Sequence, residues 1–78
     1  MNEKKNLTIE ETFNLAVQNH NKNNFQIAEK LYKKILKSNP NLAGVYYNLG
    51  IIYNELKEYE KAIGCYEKAI QIDPNYAQ

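Results

Sequence analysis

Few side chains in this chain are of the types that do chemistry. There is one thiol, Cys65, and one imidazole, His20. A reactive thiol needs a neighbouring cation and exposure, and a histidine base needs a nucleophile and an orienting group within reach. The surrounding sequence supplies neither pattern, so Cys65 reads as a small apolar packing residue and His20 as a solvated or capping imidazole near a helix end. One Cys and one His cannot assemble a Cys/His zinc site within a single chain, and no cofactor or metal is expected. The carboxylates Glu55, Glu58, Glu60 and Glu67 are interspersed with Lys57, Lys61 and Lys68, which is the pattern of a solvated helix face and not of a catalytic acid pair. Glu29 with Lys33 and Glu58 with Lys61 stand at favourable helical spacings, whereas Lys57 with Lys61 would oppose them if a helix reached that far. The chain is read as non-enzymatic.

Composition narrows the alternatives. With 78 residues, 44% hydrophobic and 24% charged, the chain holds at most one small core. At this length burial barely exceeds ordering entropy, so a partner, a second copy or more chain is expected to cover part of it. The formal charge of +1 gives no field that would steer it to nucleic acid or an anionic membrane. All ten basic residues are Lys, so the bidentate guanidinium forks that read base edges or clamp phosphates are missing, and no nucleic-acid partner is expected. The stretch Met1 to Asn6 lacks the apolar core of a secretory signal, and no long apolar run marks a membrane span. No membrane association is expected, and the location is read as cytoplasmic.

The elements that must carry these residues are set by an internal repeat. The offset from Pro40 to Pro74 recurs along the chain, pairing Leu15 with Leu49, Ala16 with Gly50, Phe25 with Tyr59, Ala28 with Ala62, Tyr32 with Tyr66 and Asn41 with Asn75. A fixed period of this size marks stacked supersecondary units, each unable to bury its apolar face alone. Thr8 with Glu11 forms a capping box that predicts a helix from Ile9 to Asn21. The cluster Asn21-Lys22-Asn23-Asn24 predicts a turn whose last residue caps a second helix. That helix carries Ala28, Leu31, Tyr32, Ile35 and Leu36 on one face and stops near Ser38, before Pro40. Asn41 is expected to cap a third helix with Tyr46, Leu49, Gly50 and Tyr53 on one face. After a tight turn at Lys57-Glu58, a fourth presents Ala62, Cys65, Tyr66, Ala69 and Ile70, ending before Asp73-Pro74. Ala16 with Ala28, and Gly50 with Ala62, are small pairs that let helices approach closely, with Tyr32 and Tyr66 filling the space beside them. The architecture predicted is all-α: four helices in two antiparallel hairpins.

The run Tyr46-Tyr47-Asn48-Leu49-Gly50, followed by Tyr53, Tyr59, Ala62, Tyr66, Ala69 and Asp73-Pro74-Asn75, resembles the tetratricopeptide repeat. The resemblance implies a right-handed α-solenoid fragment. Residues 1–8 would be a flexible N-terminus and cap, 9–42 a first repeat, 43–76 a second, and 77–78 the start of a truncated third repeat or capping helix. Thr12, Asn19 and Ile35 depart from the pattern, as suits a terminal repeat. The first repeat is also similar to those that open bacterial arrays, some of which precede glycosyltransferase or sulfotransferase domains, although no such catalytic sequence is present.

Tyr47, Ile51 and Ile52 are apolar yet lie outside the third helix's packing stripe, so something must cover them. Phe13 and Val17 stand one period before Tyr47 and Ile51. Resemblance implies that these positions line a concave groove for a protein or peptide partner, with Asn14 and Asn48 hydrogen-bonding the partner's backbone. The alternatives are that the stripe contacts neighbouring helices or a second copy, and that the two Asn side chains are simply solvated. With Phe13, Val17 and Tyr47 inside the groove, a clamp for two carboxylates is not expected. Asn75-Tyr76-Ala77-Gln78 matches Asn41-Leu42-Ala43-Gly44, so a third repeat is expected to begin there. The open helical end gives the rival readings: homo-oligomer formation or domain swapping through the fourth helix, or a segment of a larger enzyme.

Overall fold

The computed structural model describes residues 7–75; Met1 to Asn6 and the expected start of a third repeat at 77–78 lie outside them. Four helices follow in order, α1 (Ile9–Asn21), α2 (Phe25–Ser38), α3 (Ala43–Glu55) and α4 (Tyr59–Ile72), with no strand among the described residues. α1 pairs with α2 and α3 with α4, and α3 also lies against α2.

The start of α1 is held as its sequence predicts. The Glu11 backbone N–H donates to Thr8 Oγ1 at 3.0 Å, and the Thr8 N–H donates to Glu11 Oε1 at 3.0 Å, which satisfies two donors that a helix start leaves open. Thr12 is buried and donates its hydroxyl to the Thr8 carbonyl at 2.8 Å. The two hairpin turns are copies of one another. Asn23 and Lys57 both adopt left-handed backbone, at φ 65° and 64°. The next N–H, of Asn24 or Glu58, reaches back to the carbonyl of Asn19 or Tyr53 at 2.8 Å in each case. This closure uses up the free carbonyls of the preceding helix. Asn tolerates that conformation and Lys does so at a cost of roughly 1–2 kcal/mol.

Two expected caps are different. Asn24 precedes α2, but its side chain makes no cap bond and instead donates through Nδ2 to Asn19 Oδ1 at 3.2 Å. Its backbone N–H is already committed to closing α1, which fixes the residue in a conformation (φ −87°, ψ 68°) unlike the extended cap of Thr8. Asn41 does not cap α3; Leu42 occupies that position, and its carbonyl takes the N–H groups of Val45 at 3.1 Å and Tyr46 at 3.3 Å. Half-burying the Leu42 side chain against the core outweighs the cap hydrogen bond Asn41 would have made.

One core joins the hairpins: Ala16, Ala28, Tyr32, Ile35, Val45, Leu49, Ile52, Tyr53 and Ala62. Tyr32 and Ile52 are fully enclosed, each contributing roughly 1.5–3 kcal/mol by area removed from water. Ile52 thus needs no outside cover: α3 packs on α2 as well as α4, and this second contact absorbs it. Gly50 is explained by close approach of α4, with the Tyr66 ring beside it. A methyl group at Gly50 would sit 2.5 Å from Tyr66 Cε1.

Candidate functional site

The aromatic contacts repeat with the period. The Phe13 ring meets Tyr32 edge-on at 5.7 Å, and Tyr47, its equivalent in the second hairpin, meets Tyr66 at 5.5 Å. Phe13 and Val17 stand one turn apart on α1, and Tyr47 and Ile51 one turn apart on α3, so each pair occupies one helix face. Val17 and Ile51 are half-buried, whereas Tyr47 keeps 37% of its surface exposed. Asn14 is exposed. Asn48 is half-buried and donates through Nδ2 to the Tyr32 hydroxyl at 3.2 Å. One amide hydrogen of Asn48 is therefore spent inside the molecule. Burial pushes the Tyr32 phenol up, opposed by this bond.

Of these six residues, Phe13 also lines an open cleft of about 800 Å3 at the first turns of α1 and α3. Its walls are Ile9, Phe13, Ile35, Leu42, Val45 and Ile72, with the acidic residues Glu10 and Asp73 also in the lining. Val17, Tyr47 and Ile51 are not part of that lining. Sequence reasoning did not single out Glu10, Ile72 or Asp73. The available signal for Glu10 was its place one turn before Phe13 and Asn14 on the same helix.

At the other end of α1, His20 is neither solvated nor a cap. Its Nε2 lies 3.1 Å from Glu55 Oε1 and its ring packs edge-on to Phe25 at 5.7 Å, so it ties α1 to the end of α3. Between α3 and α2, the Tyr53 hydroxyl donates to Glu29 Oε2 at 2.6 Å, Lys33 Nζ stands 3.2 Å from the same oxygen, and Lys61 Nζ lies 5.5 Å from the Tyr53 ring centre. Burial first, then the bond to Glu29, pushes the Tyr53 phenol up to about 12. The Tyr53 hydroxyl, against the opposing effect of burial, holds the Glu29 carboxyl below its ordinary value. The expected Glu58–Lys61 pair forms at 3.1 Å, and Lys57 lies outside α4, so the like-charge pair with Lys61 does not arise on a helix. Cys65 is half-buried and burial pushes its thiol up, away from the reactive thiolate.

A family model described as the tetratricopeptide repeat matches residues 43–76, the second hairpin. The second hairpin is a tetratricopeptide repeat. Among solved structures, the crystal structure of MamA superposes with a TM-score of 0.82 at 33% identity, over 86% of this chain and 39% of that one. Among curated proteins, two relatives are 42% identical over 38 residues, 49% of this chain and 4% of theirs. They are the probable UDP-N-acetylglucosamine–peptide N-acetylglucosaminyltransferases SPINDLY of Oryza sativa subsp. japonica and of Hordeum vulgare. The chain thus spans a small part of those relatives. Tetratricopeptide repeats are themselves non-catalytic and generally mediate protein–protein interaction, so the surface of these hairpins is the feature that bears on function.

Proposed function

We propose that the face shared by α1 and α3 binds an extended peptide or a helix of another protein. Phe13, Val17, Tyr47 and Ile51 supply apolar contact, and Asn14 and Asn48 take backbone hydrogen bonds. The observation that carries this reading is the arrangement of Tyr47. It is a large aromatic held at 5.5 Å against Tyr66 yet 37% exposed, beside half-buried Ile51. An ordered aromatic at a wet surface is the usual anchor of an interface, because few rotamers are lost on binding. Peptides selected against the wild-type chain from a random twelve-residue display library test it. A Tyr47→Ala, Ile51→Ala double variant that keeps its helical circular dichroism should lose those peptides; undiminished binding would move the site elsewhere.

A second reading is favoured by α4, whose Tyr59, Ile63 and Ile70 are 54%, 55% and 44% exposed. Such a stripe invites a second copy of the chain, and light scattering over a dilution series decides whether a dimer persists. The match to part of two glycosyltransferases supports a third role, as the protein-binding segment of a larger enzyme.

A further inference from the structure

Charge is sorted between the helices in a way the net value of +1 conceals. α1 and α3 carry Glu10, Glu11 and Glu55 and no Lys, whereas α2 carries Lys30, Lys33, Lys34 and Lys37 against the single carboxylate of Glu29. The remaining helical lysines, Lys61 and Lys68, are on α4; Lys22 and Lys57 sit in the turns at the far ends of α1 and α3. On α1, Glu10, Phe13 and Val17 follow i, i+3, i+7, and on α3, Tyr47, Ile51 and Glu55 follow i, i+4, i+8. The carboxylates therefore share the faces that carry the apolar groove residues. At one end of that face lies the open apolar cleft, and Glu10 and Asp73 both border it. Glu11 serves the α1 cap, leaving Glu10 outside that task. Asp73 Oδ1 accepts the Asn75 N–H at 3.1 Å, and a carboxylate has room for several donors.

We infer that the groove takes a basic, amphipathic peptide: an apolar side chain enters the cleft beside Phe13, and a Lys or Arg next to it in the peptide reaches Glu10 and Asp73. The inference rests on the groove reading above and adds the class of partner to it. An acidic peptide would bring like charge to both carboxylates and find no lysine on α1 or α3 to offset it, which is how an interface rejects a wrong partner. The apolar walls, Ile9, Ile35, Val45 and Ile72, provide the burial that surface ion pairs alone do not.

The test uses the full chain and three fluorescein-labelled peptides of about twelve residues, with Leu at the same positions and Lys, Ser or Glu between them. Their affinities are read by fluorescence anisotropy at two salt concentrations. The Leu/Lys peptide should bind tightest and weaken with salt. A Glu10→Gln, Asp73→Asn variant should lose about ten-fold in its affinity while leaving the Leu/Ser peptide unchanged. Equal or tighter binding of the Leu/Glu peptide, or an unaltered Leu/Lys affinity in that variant, overturns the inference. The groove reading survives such a result if Tyr47→Ala, Ile51→Ala still abolishes binding. That double variant keeps every charge, so Leu/Lys binding that persists in it marks simple charge attraction and overturns both. No binding by any of the three peptides also counts against both.

Discussion

The same face of the second helix in each hairpin meets opposite fates. On α2 it is Phe25, Glu29, Tyr32 and Leu36; on α4, at the equivalent positions of the repeat, it is Tyr59, Ile63, Tyr66 and Ile70. α3 covers the first set, leaving Tyr32 fully enclosed and Phe25 and Leu36 half-buried. Among the described residues no further helix packs on the second, where Tyr66 is half-buried against α3 and Ile63 is 55% exposed. The front of the molecule differs again. Leu49, Ile52 and Tyr53 of α3 are buried, but their α1 equivalents are Leu15, which is 39% exposed, and the polar Gln18 and Asn19. Polar residues thus replace most of the stacking surface at the front, while the rear keeps an apolar one. Packing inside each hairpin follows from the repeat itself, whereas burial between hairpins depends on having a neighbour.

The sharpest way to break this comparison is to truncate the two equivalent tyrosines. Tyr32→Ala removes an enclosed ring together with the acceptor of the Asn48 amide and should cost about 3–5 kcal/mol. A loss of that size is most of what a domain this small possesses, so the variant should be largely unfolded at 25 °C. Tyr66→Ala removes a half-covered ring and should cost about 1–2 kcal/mol, remaining folded in urea titrations. Equal losses would mean that the α4 face is as well covered as the α2 face.

How much of this could be read in the chain depended on the range of the interaction. Helix ends governed by adjacent residues, such as the Thr8–Glu11 box and the stops at Ser38 and Ile72, were legible. So were the small residues Ala16, Ala28 and Ala62, because the period exposes them. Asn24 and Asn41 look like caps in isolation, but tertiary demands, closing α1 and burying Leu42, decided otherwise. Ile52 read as surplus because a single helix pattern does not say how many neighbours it has. The proposed groove rests in the sequence on apolar positions alone. The cleft beside Phe13 draws on α1, α2, α3 and the end of α4, and no local pattern encodes a meeting of four segments. The His20–Glu55 contact was hidden for the same reason, joining residues far apart in the chain.

The link between hairpins can be sharpened with pH. Tyr53 is 5% exposed and its hydroxyl holds Glu29, the one position of the α2 face that becomes Ile63 on α4. Tyr53→Phe should cost about 1–2 kcal/mol at neutral pH, since it leaves a partly buried carboxylate with Lys33 in place of two donors. The folded phenol titrates near 12 against an ordinary 10, so its contribution is full below pH 10 and is lost as pH rises from 10 towards 12. The Glu29 carboxyl is depressed, chiefly by the Tyr53 hydroxyl, so its contribution is present above the ordinary carboxylate range and lost as pH falls through the folded value. Subtracting the Tyr53→Phe stability from wild type at each pH isolates both limbs from the other tyrosines. The difference should be largest near neutrality and shrink on either side. A flat difference would show that the bond to Glu29 contributes only packing.

The finest contrast lies between two glycines of one hairpin. At Gly64 an added methyl group meets nothing within 4 Å, so Gly64→Ala should gain roughly 1 kcal/mol from helix propensity. At Gly50 the same methyl falls 2.5, 2.7 and 2.9 Å from three Tyr66 ring atoms. Overpacking of that kind costs about 1–3 kcal/mol, which offsets or exceeds the equal propensity gain, so Gly50→Ala should lose up to about 2 kcal/mol. The pair is read by urea denaturation, with near-ultraviolet circular dichroism reporting the tyrosine environment. Tyr66 has a closely packed edge towards Gly50 and an uncovered side on the α4 face. If Gly50→Ala proves as stabilising as Gly64→Ala, the ring has swung out towards that open side at little cost. Tyr66 would then be a movable cover over α3, and the rear of the molecule would differ from the front in rigidity as well as in polarity.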